Sequence, residues 1–194
     1  PVAGDVKYVD RNGDGVVDDN DRDIIGNPNP DFTYGFQTKV SWKSLSLSAS
    51  FNGVQGRDIL NVGNRYNNTP GTKSNNVTRK AFQNMWTDEN PSNLYPKSTF
   101  VVQNMVMDRY VEDGSYLRCS DITLSYVLPA KWTNKIGIKN TSVYASVKNA
   151  FVITDYSGYD PEVNSFAFDG LRPGVDMNSY PTPRSFVFGL NLTF

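Results

Sequence analysis

The chain has 194 residues, 38% hydrophobic and 13% aromatic, with 19 basic residues against 20 acidic ones and no histidine. The near-neutral balance argues against a nucleic-acid partner, and the missing histidine removes the commonest general base and metal ligand. Cys119 is the single cysteine, which excludes a disulfide framework and a Cys-type zinc site. It also lacks a histidine to activate it as a nucleophile.

No apolar run approaches the roughly 18 residues of a membrane helix. A barrel strand escapes that test, because it shows lipid only alternate residues. The start, Pro-Val-Ala-Gly with no Met or leader, reads as an internal cut. Residues 1–9 are short and extended in pattern.

Asp10 to Asp21 follows the calcium-loop pattern D-x-[DN]-x-[DN]-G. Asp10, Asn12 and Asp14 hold its first, third and fifth positions, and Gly15 gives the sharp turn. Val16 offers its carbonyl, Asp18 follows, and Asp21 stands where glutamate is usual, with a shorter reach. A hard cation needs several oxygens, and this stretch concentrates them. The plainer reading is a solvated acidic turn. Flanking helices are not evident, since Asn27-Pro-Asn-Pro30 stops any helix after Asp21, so a free-standing loop is expected.

Phe32 to Trp42 alternates, with Phe32, Tyr34, Phe36, Thr38, Val40 and Trp42 on one face. After Lys43-Ser44, Leu45 to Gly53 alternates again, predicting a hairpin. Aromatics at both ends of the first strand match the girdles of membrane barrels. Residues 54–114 form a long excursion. Within it Val77, Ala81, Phe82, Met85 and Trp86 have helical spacing, with Asn76 as the expected N-cap. A connection this long is unusual without a function.

Residues 115–128 give a third strand, with Ile122, Leu124, Tyr126 and Leu128 on one face. Leu117 and Cys119 break its phase, so a bulge is expected near its start. Residues 141–152 form a fourth strand, in which Lys148 is tolerable only on a wet face. A second long loop, 153–183, follows. The last strand, 184–194, sets Phe186, Phe188, Leu190, Leu192 and Phe194 against Ser185, Gly189, Asn191 and Thr193. Its length suits a tilted bilayer crossing of ~9–11 residues.

With the last strand running inward, the junctions at 43–44 and 129–140 fall on one side. The loops 54–114 and 153–183, and residues 1–31, fall on the other. Short connections inside and long ones outside is the rule for outer-membrane barrels.

At this point the chain resembles the C-terminal end of SusC/RagA-type TonB-dependent outer-membrane transporters of Bacteroidetes. The likeness is carried by GDVKYVDRNGDGVVDDNDRDIIGNPNPDFTYGF (4–36), NMWTDENP (84–91), YVEDGSYLRCSDITLSYVLP (110–129), VYASVKNAFVITDYSGYDPEVN (143–164) and GVDMNSYPTPRSFVFGLNLTF (174–194). Cys119 departs from the aliphatic residue expected there.

The resemblance implies an all-β chain of antiparallel up-and-down strands, the C-terminal portion of a large transmembrane barrel of about 22 strands with a plug. It implies long extracellular loops and one short loop helix. Residues 1–31 would be an extracellular loop carrying the Ca2+ motif. Implied partners are a SusD-like surface lipoprotein, the rest of the barrel and plug, outer-membrane lipid, and TonB–ExbB–ExbD through an N-terminal part absent here. The cargo would be glycans or peptides. Phe194 would sit at the inner interface.

In the loop after the fourth strand, Tyr156, Tyr159, Asp160 and Asn164 are candidate substrate contacts, although the same residues suit a purely structural loop. A soluble extracellular β-domain with a structural calcium loop, an adhesin or carbohydrate-binding module, stays open as the alternative. An enzyme is not expected, because no carboxylate spacing singles out a catalytic pair.

Overall fold

A computed structural model of the protein describes residues 2–69, 76–98, 106–133, 138 and 140–193. Phe194 lies outside them. In chain order the elements are β1 (Phe32–Trp42), β2 (Leu45–Gln55), β3 (Asp58–Asn61), α1 (Val62–Asn68), α2 (Arg79–Asn84), β4 (Val111–Asp113), β5 (Tyr116–Val127), α3 (Ala130–Thr133), β6 (Asn140–Thr154), β7 (Val175–Asp176) and β8 (Ser185–Thr193). Single 3-10 turns occupy Asp19–Asp21 and Asp108–Tyr110. The chain forms two compact units, one of residues 29–57, 113–162 and 180–194, the other of residues 1–28, 58–112 and 163–179.

The first of these holds the long strands. They form one five-stranded sheet in the order β1-β2-β5-β6-β8, each strand antiparallel to the next. The period-two pattern fixes the register, because a slip of one residue would turn every apolar side chain to the other face. A row Val40–Leu47–Leu124–Ala145–Phe188 crosses all five strands on one face. The adjacent row on the opposite face is Lys39–Ser48–Thr123–Ser146–Val187. On the apolar face Phe36 stacks on Phe51 at 4.6 Å between ring centroids, and Phe151 meets Phe51 edge-on at 6.4 Å. Such pairs contribute about 0.5–1.5 kcal/mol beyond area burial. Lys43 takes φ 53° in the two-residue turn between β1 and β2, a left-handed conformation that tight hairpins require.

The phase break at Leu117 and Cys119 is a bulge at Ser120. Asp121 pairs with Ser50, yet Cys119 pairs with Phe51, so Ser120 is the extra residue. Across the next ladder Asp121 faces Lys148 while Cys119 faces Phe151, which leaves Asn149, at φ 51°, and Ala150 unpaired. The bulge returns Leu117 and Cys119 to the apolar face and puts Tyr116 and Arg118 on the polar one, where Arg118 lies opposite Asn52. Lys148 is on the polar face and pairs with Asp121 at 2.5 Å. Thr123 and Ser146 hydroxyls donate to the same carboxylate.

Two glycines in this sheet are covered by tyrosine rings. A Cβ on Gly53 would lie 2.3 Å from Tyr34 Cζ, and one on Gly189 would lie 2.2 Å from Tyr144 Cζ. In both cases the ring fills the space over the cross-strand glycine.

The other unit contains a three-stranded sheet in the order β4-β3-β7, in which β3 and β7 are parallel. Its centre is Ile59, fully buried, with Ala81, Met107 and Tyr110 also buried. The Asn61 side chain caps α1 by accepting the Asn64 amide at 2.8 Å, while the amides of Asn61 and Asn64 both donate to Glu112.

The expected loop helix is corrected in two ways. It is shorter, running over α2, and its cap is Thr78, not Asn76, because the Thr78 hydroxyl accepts the Ala81 amide at 3.1 Å. It is also not alone, since α1 and α3 are present among the described residues. Trp86 lies past the end of α2, with its ring over Gly4.

Candidate functional site

Three consecutive residues after β6, Asp160-Pro161-Glu162, are clamped onto the polar face of the five-stranded sheet. Arg118 Nη2 donates to Asp160 at 2.5 Å, and its Nε lies 3.1 Å from Glu162 Oε2 in a charge contact. The Tyr116 hydroxyl donates to Glu162 at 2.6 Å, and Asn52 Nδ2 does so at 3.1 Å. Arg57 donates to the Pro161 carbonyl. Asp160 also accepts the amides of Glu162 and Thr182, each at 3.0 Å. The strand parity set by Ser120 is what brings Tyr116 and Arg118 to this face.

Burial works against the Asp160 charge, but the two backbone amides and the Arg118 guanidinium outweigh it and hold its carboxyl below the usual range. A buried ion pair has to offset a large desolvation cost, so its value lies in fixing one conformation of the strap.

The structure does not gather the four candidate substrate residues. Tyr156 and Asp160 are only 5% and 3% exposed, occupied within their own unit. A Cβ on Gly158 would strike the Tyr156 ring, so that ring lies against the strap backbone. Both side chains are engaged in holding the strap. Asn164 belongs to the other unit, where its Oδ1 accepts the Phe166 amide at 3.2 Å. Tyr159, 74% exposed, is the one of the four that faces solvent freely. Sequence reasoning missed Arg118, Arg57 and Tyr116. The paired acids of the Asp-Pro-Glu segment were the available signal, because a carboxylate that becomes buried, as Asp160 does, requires a cation or hydrogen-bond donors nearby.

The Asp10–Asp21 loop folds around its own amides. Asp10 accepts from Gly13 at 2.7 Å and Gly15 at 2.8 Å, and Asp14 accepts from Val16 at 2.8 Å. Asn12 Oδ1 accepts from Asp14 at 2.9 Å. Asp18 and Asp21 form a reciprocal capping box on the 3-10 turn. Amides of Asp18, Arg11 and Asn12 keep the Asp21 carboxyl below its ordinary value, against a small opposing effect of burial. Gly13 and Gly15 supply the positive φ the turn needs, 76° and 84°. Among the described residues, no three acidic or thiol side chains converge closely enough to form a ready metal cage.

The same unit carries an open groove of about 1140 Å3, lined among others by Tyr8, Trp86, Tyr95, Asp21 and Arg109.

No family model matches the chain. Over its whole length it is 35% identical to TonB-dependent receptor P26 of Formosa agariphila, covering 20% of that protein. Over 96% of its length it is 34% identical to the TonB-dependent receptor SusC of Bacteroides thetaiotaomicron, covering 17% of it. Its fold matches the RagAB peptide transporter structure at a TM-score of 0.75, with 29% identity over 88% of this chain and 18% of that one.

The chain belongs to the SusC/RagA family of TonB-dependent receptors.

It spans about a fifth of the length of the curated relatives it matches. SusC/RagA membership places it in the bacterial outer membrane and makes its five-stranded sheet a portion of a transmembrane barrel wall. The face of Val40, Leu47, Leu124 and Phe188 is then the lipid side, and the face of Ser48, Thr123 and Ser146 the lumen side. The strap of Asp160–Glu162 lies on the lumen side of its wall.

Proposed function

We propose that this SusC/RagA chain is a barrel segment of an importer that takes up oligomeric nutrients, glycans or peptides, with a SusD-like lipoprotein as partner. The receptor draws its energy from TonB–ExbB–ExbD, and this segment binds and guides cargo without a catalytic step. The observation that carries the reading is the division of one sheet into a lipid face and a wet face, with its two long connections leaving from the same end. The long connections are the parts placed to meet cargo and partner, and Tyr159 is the contact residue among the strap candidates. The test is purification of the protein from outer membranes in mild detergent. Co-purification of a surface lipoprotein with a bound glycan or peptide is the expected result. A protein recovered alone and without ligand after gentle extraction counts against it.

We further infer that the Asp10–Asp21 loop takes Ca2+. Its donors, Asp10, Asn12, Asp14, Asp18, Asp21 and the Val16 carbonyl, are all hard oxygens, and Gly15 makes the turn that calcium loops require. Each carboxylate oxygen that accepts one amide keeps a further lone pair. The loop closes on the ion by modest adjustment of these side chains. Calcium should protect residues 10–21 from proteolysis, and Asp14→Ala with Asp21→Ala should abolish that protection. Cleavage unaltered by a chelator removes the inference.

A further inference from the structure

The chain contains two Asn–Gly pairs, Asn12–Gly13 and Asn52–Gly53. A glycine after asparagine leaves its backbone nitrogen sterically open to the neighbouring side-chain amide, which is the condition for the chain to attack itself. At the first pair three contacts fall on the three atoms such a reaction uses. The Gly13 amide, the nucleophile, donates to the Asp10 carboxylate at 2.7 Å. Asn12 Oδ1, where negative charge develops, accepts the Asp14 amide at 2.9 Å. Asn12 Nδ2, the leaving nitrogen, is held by Asp14 Oδ2 at 3.0 Å. The pair is exposed, and a Cβ on Gly13 would meet nothing within 4 Å.

We propose that Asn12–Gly13 is a site of intramolecular self-modification, the Asn12 amide being lost through attack by the Gly13 nitrogen. That nitrogen bonds to Asn12 Cγ as its proton passes to Asp10, whose carboxylate is the general base. The Asp14 amide stabilises the oxyanion. The Cγ–Nδ2 bond then breaks, and ammonia leaves with the proton that Asp10 returns. Water opens the resulting succinimide at either carbonyl, giving aspartate or isoaspartate. No oxidant or cofactor enters the balance.

Asn52–Gly53 is the built-in control. Both residues lie in the β2 ladder, the Tyr34 ring covers Gly53, and Asn52 Nδ2 is tied to Glu162. The paired backbone on both sides of β2 resists the local turn that such an attack needs. The product at residue 12 adds a carboxylate beside Asp10 and Asp14. Where the loop takes Ca2+, a reading on which the reaction itself does not depend, that change raises the negative charge offered to the ion.

The experiment is peptide mapping by mass spectrometry of the protein purified from outer membranes, aged in warm neutral buffer with a chelator. The Asn12 peptide should gain about one dalton and split into aspartyl and isoaspartyl forms, about tenfold or more faster than the Asn52 peptide. Asp10→Asn, which keeps an acceptor but removes the base, should slow the change by about tenfold. The Asn52 peptide in the same digests reports whether each variant is folded. An Asn12 rate no higher than that of Asn52 overturns the proposal. So does an Asp10→Asn rate equal to or above the native one, which would mean that Asp10 merely ties up the nucleophile.

Discussion

Replacing Arg118 by methionine removes the cation from a pair whose side chains are 6% and 4% exposed and leaves the Asp160 charge buried. Breaking a buried pair from one side costs about 3–5 kcal/mol. The cost falls on the strap, because Asp160 is left with the Glu162 amide and with Thr182, and Glu162 with Tyr116 and Asn52. At about 1.4 kcal/mol per factor of ten, local opening of residues 156–162 becomes about two to four powers of ten more frequent. Amide hydrogen exchange of that peptide, followed by mass spectrometry on the purified protein in detergent, reads this directly. Lys148→Met is the comparison, since it breaks an ion pair on the same face whose lysine is 53% exposed and whose loss costs about 0–1 kcal/mol. The clamp argument is refuted if the strap in Arg118→Met exchanges no faster than in Lys148→Met.

Gly189→Val drives a side chain into the Tyr144 ring, where a Cβ alone would be 2.2 Å away. A loss of about 1–3 kcal/mol is expected, read by thermal unfolding in detergent and relieved by adding Tyr144→Ala. Leu124→Arg puts a charge on the lipid face and should cost about 2–4 kcal/mol in folding from urea into bilayers, whereas Ser48→Arg on the lumen face should fold nearly as well as the native protein. Acid should loosen both the strap and the Asp10–Asp21 loop. Asp160 and Asp21 have carboxyls depressed below 3.8, so their stabilisation is complete above that value and is lost as pH falls through the lower folded one. Limited proteolysis across that range should show cleavage of both segments only on the acid side, and cleavage that begins near neutrality would contradict it.

The long strands were legible because one property, alternation, specifies both conformation and facing. Their ends agree with the structure to within a few residues, and the bulge near Cys119 was visible as a change of phase. The direction it turned the strand was not visible, since a sequence break does not say on which side the extra residue is absorbed. For that reason Arg118 was not legible as the partner of Asp160. The small sheet escaped as well. Its strands are two to four residues long, and α1, VGNRYNN, has no apolar stripe, being held by the Asn61 cap and Glu112. Short elements held by tertiary partners carry little local signal.

Ser120 has a consequence for how such a wall can change. Below it the even-numbered residues of β5 address the lipid, and above it the odd-numbered ones do. The strand is two half-strands in opposite reading frames, spliced at one residue. Absorbing Ser120 into the ladder as an ordinary paired residue would turn the upper half over, sending Arg118 toward hydrocarbon and Cys119 toward water. Substitutions on either side leave the other half undisturbed. The upper part of the wall, where the strap is fastened, can therefore diverge while the lower part keeps the pattern that holds the barrel in its membrane.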